Sequence, residues 1–425
     1  MKYSTYYSGL LCITIVLCLV GLYPFAARTG LALVQETGAG DTIRQVTFLA
    51  VFLLAVMPFA LARPLVGIVA IPHQLWLVYA WCLVTLTWSQ VPEIGFRRLA
   101  FTILVSGTLL ICVRQLSVKR AYAVISGTFI ALTVLSLVAA VIYPQGAIHQ
   151  PNDPEIAVVG GLRGLFYHKN MTGVVAGIGF LMAYSALLRR RSHLTALFAA
   201  LCLVTLWLTD SMTSLALACF CLLPIHLAPV MQRSQSFRRN AAIVISLMLL
   251  LGLLFAVTLT LEGALGSSAF TGRGEIWHYV WELVLQRPLT GHGFGSVFQV
   301  GSATPLSSVA SSSWVERVAH AHNGYLELLA STGMIGLAIL LAALVSLTRR
   351  GMLSLQKNHP SMVPVIASVI IFCLAHNLLE TGLLDRADPV WTTLILIFGL
   401  FLAERRPSER GARGNVMAGI AGAPN

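Results

Sequence analysis

Long apolar runs recur along the chain, each closed by a short polar or basic stretch. Most approach the roughly 20 residues that a helix needs to cross hydrocarbon, so the pattern predicts an all-α, polytopic membrane protein. The runs place twelve spans at about 8–26, 46–62, 66–88, 99–113, 121–143, 170–188, 194–209, 212–230, 241–262, 325–348, 362–380 and 390–404. The first run resembles a signal peptide ending at "FAA", but its length and the spans behind it favour an uncleaved first helix. The whole chain, 1–425, is then expected to be one integral membrane domain.

Two of the polar intervals are long. One covers 144–169 and the other 263–324, and an interval as long as the second in a compact membrane protein is usually functional. Within it, "GRGEIWHYVWELVLQRP" sets Ile276, Val280, Leu283 and Val284 on one helical face with Trp277 and Trp281 alongside. That pattern fits either a helix lying in the membrane interface with its tryptophans at headgroup level, or a packed surface helix. "GHGFG" at 291–295 follows no strand and reads as a flexible hinge, not a phosphate loop.

Composition sharpens the picture. The chain is 57% hydrophobic and only 10% charged, against about 25% charged in an ordinary soluble domain. All eight cysteines lie in apolar stretches, which points to small buried hydrophobes and not to a disulfide framework.

Charge orients the spans. Most Lys and Arg residues, including Arg189–Arg191, Arg349 and Arg350, fall in alternate loops and the tail, which the positive-inside rule assigns to the cytoplasm together with both termini. The remainder face outward against that rule: Arg28, Arg44, Arg97, Arg98, Arg163, Lys169, Arg273, Arg287, Arg317 and Arg386. A basic outer face suggests an anionic ligand at the outer surface. Ionisable residues inside the spans are few, with His376 and Glu380 near the outer end of the eleventh and Asp210 at the outer end of the seventh. A transporter more often carries polar groups or broken helices at the midplane.

The chemistry gathers in "RVAHAHNGYLELL", residues 317–329, where Asn323 is a plausible cap for the tenth span. His320 and His322 face the same side if the approach to that helix is extended. Three readings stand for His322: a structural histidine at a helix start, a zinc ligand with His278, His292 and His320, or a general base for a hydroxyl. Glu327 is close enough in sequence to orient a histidine or to cap a positive residue.

"TGRGEIWHYVWELVLQRPLTGHGFGSVF" and "AHNGYLELLASTGMIGL", with "LTWSQVPEIGFRRLAF", "GGLRGLFYHKNMTGVVAG" and "AHNLLETGLL", resemble the O-antigen ligase/polymerase (Wzy-type) superfamily of bacterial envelope proteins, and within it the exopolysaccharide polymerases. The resemblance implies a metal-independent, inverting GT-C-like glycosyltransferase in the bacterial inner membrane. Such an enzyme takes an oligosaccharide from a polyprenyl diphosphate at the periplasmic face and needs no cofactor. Its acceptor is either another glycan or a lipid A core or protein, as in a ligase. It implies His322 as the base, Arg273 and Arg163 as diphosphate contacts, and a motif role for His168, Lys169 and Asn170. Arg317 is either a further phosphate contact or a solvated rim charge. The implied partners are the lipid-linked oligosaccharide, the membrane, a flippase and a chain-length regulator, and not nucleic acid. A flippase of lipid-linked sugars and a scaffold of an export complex are the readings from other classes.

Overall fold

The computed structural model describes residues 2–25, 40–59, 70–153, 158–233, 273–300, 305–309, 318–386 and 388–404. Among them the chain is helical, with a lone bridge between Ile148 and Leu162 as its β pairing. In chain order the helices are α1 (Lys2–Leu19), α2 (Thr42–Val56), α3 (His73–Thr85), α4 (Pro92–Arg114), α5 (Val118–Ile142), α6 (Lys169–Arg190), α7 (His193–Leu208), α8 (Met212–Phe220), α9 (Leu222–Arg233), α10 (Arg273–Gln286), α11 (Gly324–Asn358), α12 (Val363–His376) and α13 (Pro389–Glu404). Every expected span meets a helix except 241–262, which lies outside the described residues. Among the described residues four helices, α4, α5, α6 and α11, are long and apolar enough to cross a membrane by themselves, and α1, α2, α7, the α8–α9 stretch, α12 and α13 are shorter apolar helices.

Polar residues set the helix starts. Ser117 accepts from the amide of Arg120, Ser192 from that of Thr195 and Asp41 from that of Arg44, each satisfying an otherwise orphaned N–H. Pro92 opens α4, with Glu93 in its first turn and Arg114 in its last, in keeping with the helix dipole.

Burial distinguishes centre from rim. The apolar stretch of α6 is 78% buried within the protein and that of α5 only 33%, so α6 is a central helix and α5 lies at the rim with much of its apolar surface uncovered. Helix α13 is buried from Pro389 to Phe401 and packs on α4 and α11, while α6 packs on α5 and α7. In this arrangement the N-termini of α6 and α11 and the C-terminus of α12 meet at one polar junction.

Helix α11 is broken at Gly333, whose φ of 68° suits glycine and whose missing side chain leaves room for the carbonyl of Leu289. The segment 288–293 docks into the break. Met334 donates to the carbonyl of Pro288 at 2.8 Å, and the amides of His292 and Gly293 donate to those of Ala330 and Ser331 at 2.9 Å each. Trp81 closes the gap by donating to the carbonyl of Thr332. Backbone groups freed by the break are thereby re-satisfied, as a low-dielectric surrounding requires.

This docking corrects the reading of "GHGFG" as a flexible hinge. His292, Gly293 and Phe294 are buried, Phe294 donates to the hydroxyl of Thr85, and Arg98 donates to the carbonyls of Gly295, Phe298 and Gln299. The tryptophans of α10 likewise pack within the protein. Trp277 is 3% exposed, donating its indole N–H to the carbonyl of Ala321, and Trp281 packs on the same apolar cluster as Ile276, Val280, Leu283 and Val284. The packed-helix alternative is the one the structure adopts.

Candidate active site

The site is built at the entry to α11. Asn323 adopts an extended conformation, and its side-chain oxygen accepts from the amides of Tyr325 and Leu326 at 3.1 and 3.0 Å. The amide of Gly324 donates to the carbonyls of Asn377 and Glu380, a close approach that a side chain at 324 would block by striking the Asn377 carboxamide. Just before the cap, the Ala321 amide donates to Glu327 Oε2 at 2.9 Å. Glu327 therefore anchors the backbone beneath the histidines and does not orient an imidazole. His322 itself takes a left-handed φ of 50°, an uncommon conformation for a residue with a side chain, and the bonds on either side of it hold it there.

That conformation directs His322 to Glu380. The sequence pattern puts Glu380 within a span, but α12 stops at His376 because the Asn377 carboxamide captures the amides of Gly382 and Leu383 at 2.9 and 3.0 Å and turns the chain. Glu380 lies in this turn, 9% exposed. Its Oε2 faces His322 Nδ1 at 3.0 Å, and its Oε1 accepts from Arg273 and from the Asn170 amide nitrogen at 2.6 Å each. Arg273 also donates to the Leu379 carbonyl at 2.5 Å. Burial alone would raise the Glu380 carboxyl, but the His322 hydrogen bond and the charge of Arg273 outweigh it and hold the group well below the usual carboxylate range.

An ionised Glu380 selects the tautomer of His322 in which Nδ1–H donates to the carboxylate, leaving Nε2 with its lone pair. Among the described residues nothing hydrogen-bonds to Nε2, and the side chain keeps 25% of its exposure. The His320 ring meets that of His322 edge to face, with centroids 4.2 Å apart, although the approach bends at His322 and is not extended as the sequence reading supposed. Burial, then the neighbouring His322, pushes the His320 imidazole down to about 3, so His320 is neutral near pH 7.

The other expected residues are distributed around this junction. His168 caps α6 by accepting from the Asn170 amide at 3.0 Å, which sets Asn170 towards Glu380. Lys169 turns away to Asp210 at 2.9 Å, and its amide donates to His149 Nε2. Arg163 is 8% exposed, and its guanidinium donates to the carbonyls of Gly146 and Phe25, within the loop that supports α6. Arg317 lies outside the described residues. Of the histidines considered with His322, His278 is exposed on α10 beside Glu282, and His292 donates to the Leu283 carbonyl, so neither joins the junction. Among the described residues no three His, Cys, Asp or Glu side chains are grouped to hold a metal ion.

Sequence reasoning gave Asn170 only a motif role and left Glu380 out of the site, although Glu380 had a signal as an ionisable group at the outer end of an apolar run.

A histidine fixed by a carboxylate, next to an arginine, at the mouth of an apolar helix lies within a recognised sequence segment. Residues 156–341 match the O-antigen ligase family, Wzy_C. The resemblance carried by the motifs is thus met by the family comparison, and the segment includes Arg163, His168, Lys169, Arg273 and His322. The exopolysaccharide production protein ExoQ of Rhizobium meliloti (strain 1021) is 26% identical over 314 residues, which cover 69% of this chain and 68% of that protein. Glu380 falls beyond the O-antigen ligase segment, and the fold returns it to the histidine inside that segment.

Chemically, the arrangement offers a base at Nε2, an anion at Glu380 to balance the imidazolium that forms, and a guanidinium to meet developing negative charge. A guanidinium has five N–H donors, so Arg273 retains donors beyond those given to Leu379 and Glu380.

Proposed function

We propose that this protein is an envelope glycosyltransferase that joins polyprenyl-diphosphate-linked oligosaccharides into a polysaccharide at the periplasmic face of the bacterial inner membrane. The observation that carries this reading is the His322–Glu380–Arg273 junction, with one imidazole nitrogen held by a carboxylate and the other unclaimed. His322 Nε2 takes the proton of an acceptor hydroxyl as its oxygen bonds to the anomeric carbon. The bond from that carbon to the diphosphate oxygen breaks in the same displacement, inverting the centre. The leaving diphosphate carries off the electron pair and meets Arg273, while Glu380 stabilises the imidazolium. A diphosphate is already a good leaving group, so the step needs neither metal nor covalent intermediate. The match to the O-antigen ligase family and the similarity to an exopolysaccharide production protein support a polysaccharide product.

In this reading the chain crosses the membrane twelve times with both termini cytoplasmic, residues 263–324 form a periplasmic loop, and a flippase and a chain-length regulator work beside it. Helix α11 supports the orientation: about 40 Å of helix separates His322 from Arg349 and Arg350, enough to put them on opposite faces. The family description favours one second reading, transfer of a finished glycan to lipid A core or protein.

The test uses purified full-length protein in detergent and EDTA with a single polyprenyl-diphosphate oligosaccharide. A ladder of multiples is expected. Donor left intact both alone and with lipid A core or protein acceptors would overturn glycosyl transfer. A flippase would then be recognised by donor stranded on the inner face in His322→Ala and Arg273→Ala cells.

A further inference from the structure

At the end of α11 remote from His322, that helix meets the start of α3 and the end of α13 around a cavity of about 140 Å³. Its floor is apolar, made by Leu347 of α11 and by Phe398, Phe401 and Leu402 of α13. Gly351 allows this packing, because a side chain there would strike the Phe401 ring that lies against α11. Gln74 ties α3 across the cavity by donating to the Ser346 hydroxyl at 3.4 Å. The rim has a different character, with His73 and Arg350 lining it and both exposed.

The charge at that rim is positive. Among the described residues Arg350 takes part in no ion pair, and no carboxylate lines the cavity. Glu404, at the end of α13, is engaged by His359 at 3.0 Å and by Asn358. Helix α3 starts at the same rim with Pro72 in the cap position, a side chain that accepts no hydrogen bond, so the positive end of its dipole adds to the charge of Arg350. Beyond the rim, Leu77 and Val84 lie within about 40° of His73 around α3 and are both exposed. A guanidinium at the edge of an apolar cavity, leading on to an uncovered apolar stripe, complements a molecule with an anionic head and a hydrocarbon chain. A soluble anion would leave the floor bare, and an apolar peptide would leave the guanidinium unmatched.

We propose that this groove binds an anionic phospholipid, with its phosphate between Arg350 and the start of α3 and an acyl chain over the apolar floor and along α3. The orientation under the proposed function, with Arg349 and Arg350 cytoplasmic, assigns that lipid to the inner leaflet, and the site itself does not depend on it. Helix α3 links the groove to the reaction centre. Trp81 on α3 closes the break in α11, and Thr85 at its end accepts from the amide of Phe294 in the docked segment. A bound lipid therefore clamps the scaffold of the site from its far end and stabilises the folded chain by mass action.

The test uses purified full-length protein in detergent, titrated with phosphatidylglycerol and, in parallel, with phosphatidylcholine of the same chains. Bound lipid is counted by native mass spectrometry, and the melting temperature is followed alongside. One phosphatidylglycerol per chain is expected to be retained where phosphatidylcholine is lost, with a rise in melting temperature. Arg350→Gln is expected to weaken that retention about tenfold and to abolish the rise. Arg349→Gln removes the same charge from a neighbour that does not line the cavity, and is expected to change neither. Undiminished retention in Arg350→Gln would overturn the site, and so would equal losses in the two variants, which would mark attraction to the basic face as a whole. Equal retention of phosphatidylcholine would overturn selection of an anionic head, and displacement by inorganic phosphate at matching concentration would overturn the assignment to a lipid. Neither readout involves glycosyl transfer, so the lipid site and the proposed function can fail separately.

Discussion

Among the described residues, two histidine–carboxylate pairs joined through Nδ1 support opposite conclusions. His149 Nδ1 meets Asp153 at 2.6 Å and His322 Nδ1 meets Glu380 at 3.0 Å. In the first pair the ring is buried and its Nε2 accepts the Lys169 amide, so both nitrogens are committed to the structure at the start of α6. In the second the ring is partly exposed, and its Nε2 has no partner among the described residues. A histidine–carboxylate contact therefore says little about function, and the state of the other nitrogen decides whether the pair is a brace or a base.

The largest expected difference between the pairs is in rate. His322→Ala is expected to lower kcat for transfer about a thousandfold, while His149→Ala, measured per folded molecule, leaves kcat within about threefold. Comparable loss in both variants would erase the contrast. Glu380→Gln keeps the shape of the junction and removes its charge, and a fall of about a hundredfold in kcat is expected. Wild-type turnover in that variant would show that the carboxylate does not set the working tautomer. Arg273→Lys keeps a charge but loses the planar fork, and is expected to cost about tenfold in kcat/KM for the lipid-linked donor.

The brace should answer in stability. Asp153→Asn is expected to lower thermal stability by an amount corresponding to about 1–3 kcal/mol with the rate per folded molecule unchanged. The last effect concerns pH. The folded structure holds His320 down at about 3, below its ordinary 6.5, so protons bind the unfolded chain more readily. Its stabilising contribution is complete above pH 6.5 and is lost progressively as pH falls towards 3. His320→Gln is expected to flatten the melting-temperature profile over that window, and an unchanged profile would remove His320 as the cause.

Much of the fold is legible in the sequence because lipid imposes a simple rule, that long apolar runs become helices. His322, Arg273 and the Asn323 cap are also legible, since each belongs to a local pattern. The partner of His322 is not. The nearest carboxylate in sequence is Glu327, and the one that reaches the ring is 58 residues away, beyond a helix and a turn set by Asn377. Local spacing carries no record of such a contact. Arg163 and Lys169 mark the other limit. Both read as anion contacts on an outer face, yet irregular backbone near a membrane needs donors for its carbonyls, and nearby carboxylates need counter-charges. Sequence shows where the charge is and not which group has claimed it.

The bonds from Gly324 to the carbonyls of Asn377 and Glu380 have a consequence for the birth of the protein. Arg273 and His322 are synthesised before Glu380, so a nascent chain holds the proposed base and cation while lacking the carboxylate that pairs with both. Only when the last hairpin enters the bilayer does the turn after α12 reach back and complete the junction. Under the proposed function, competence waits on that turn, and a chain that lacks it is expected to be inert towards its lipid-linked donor.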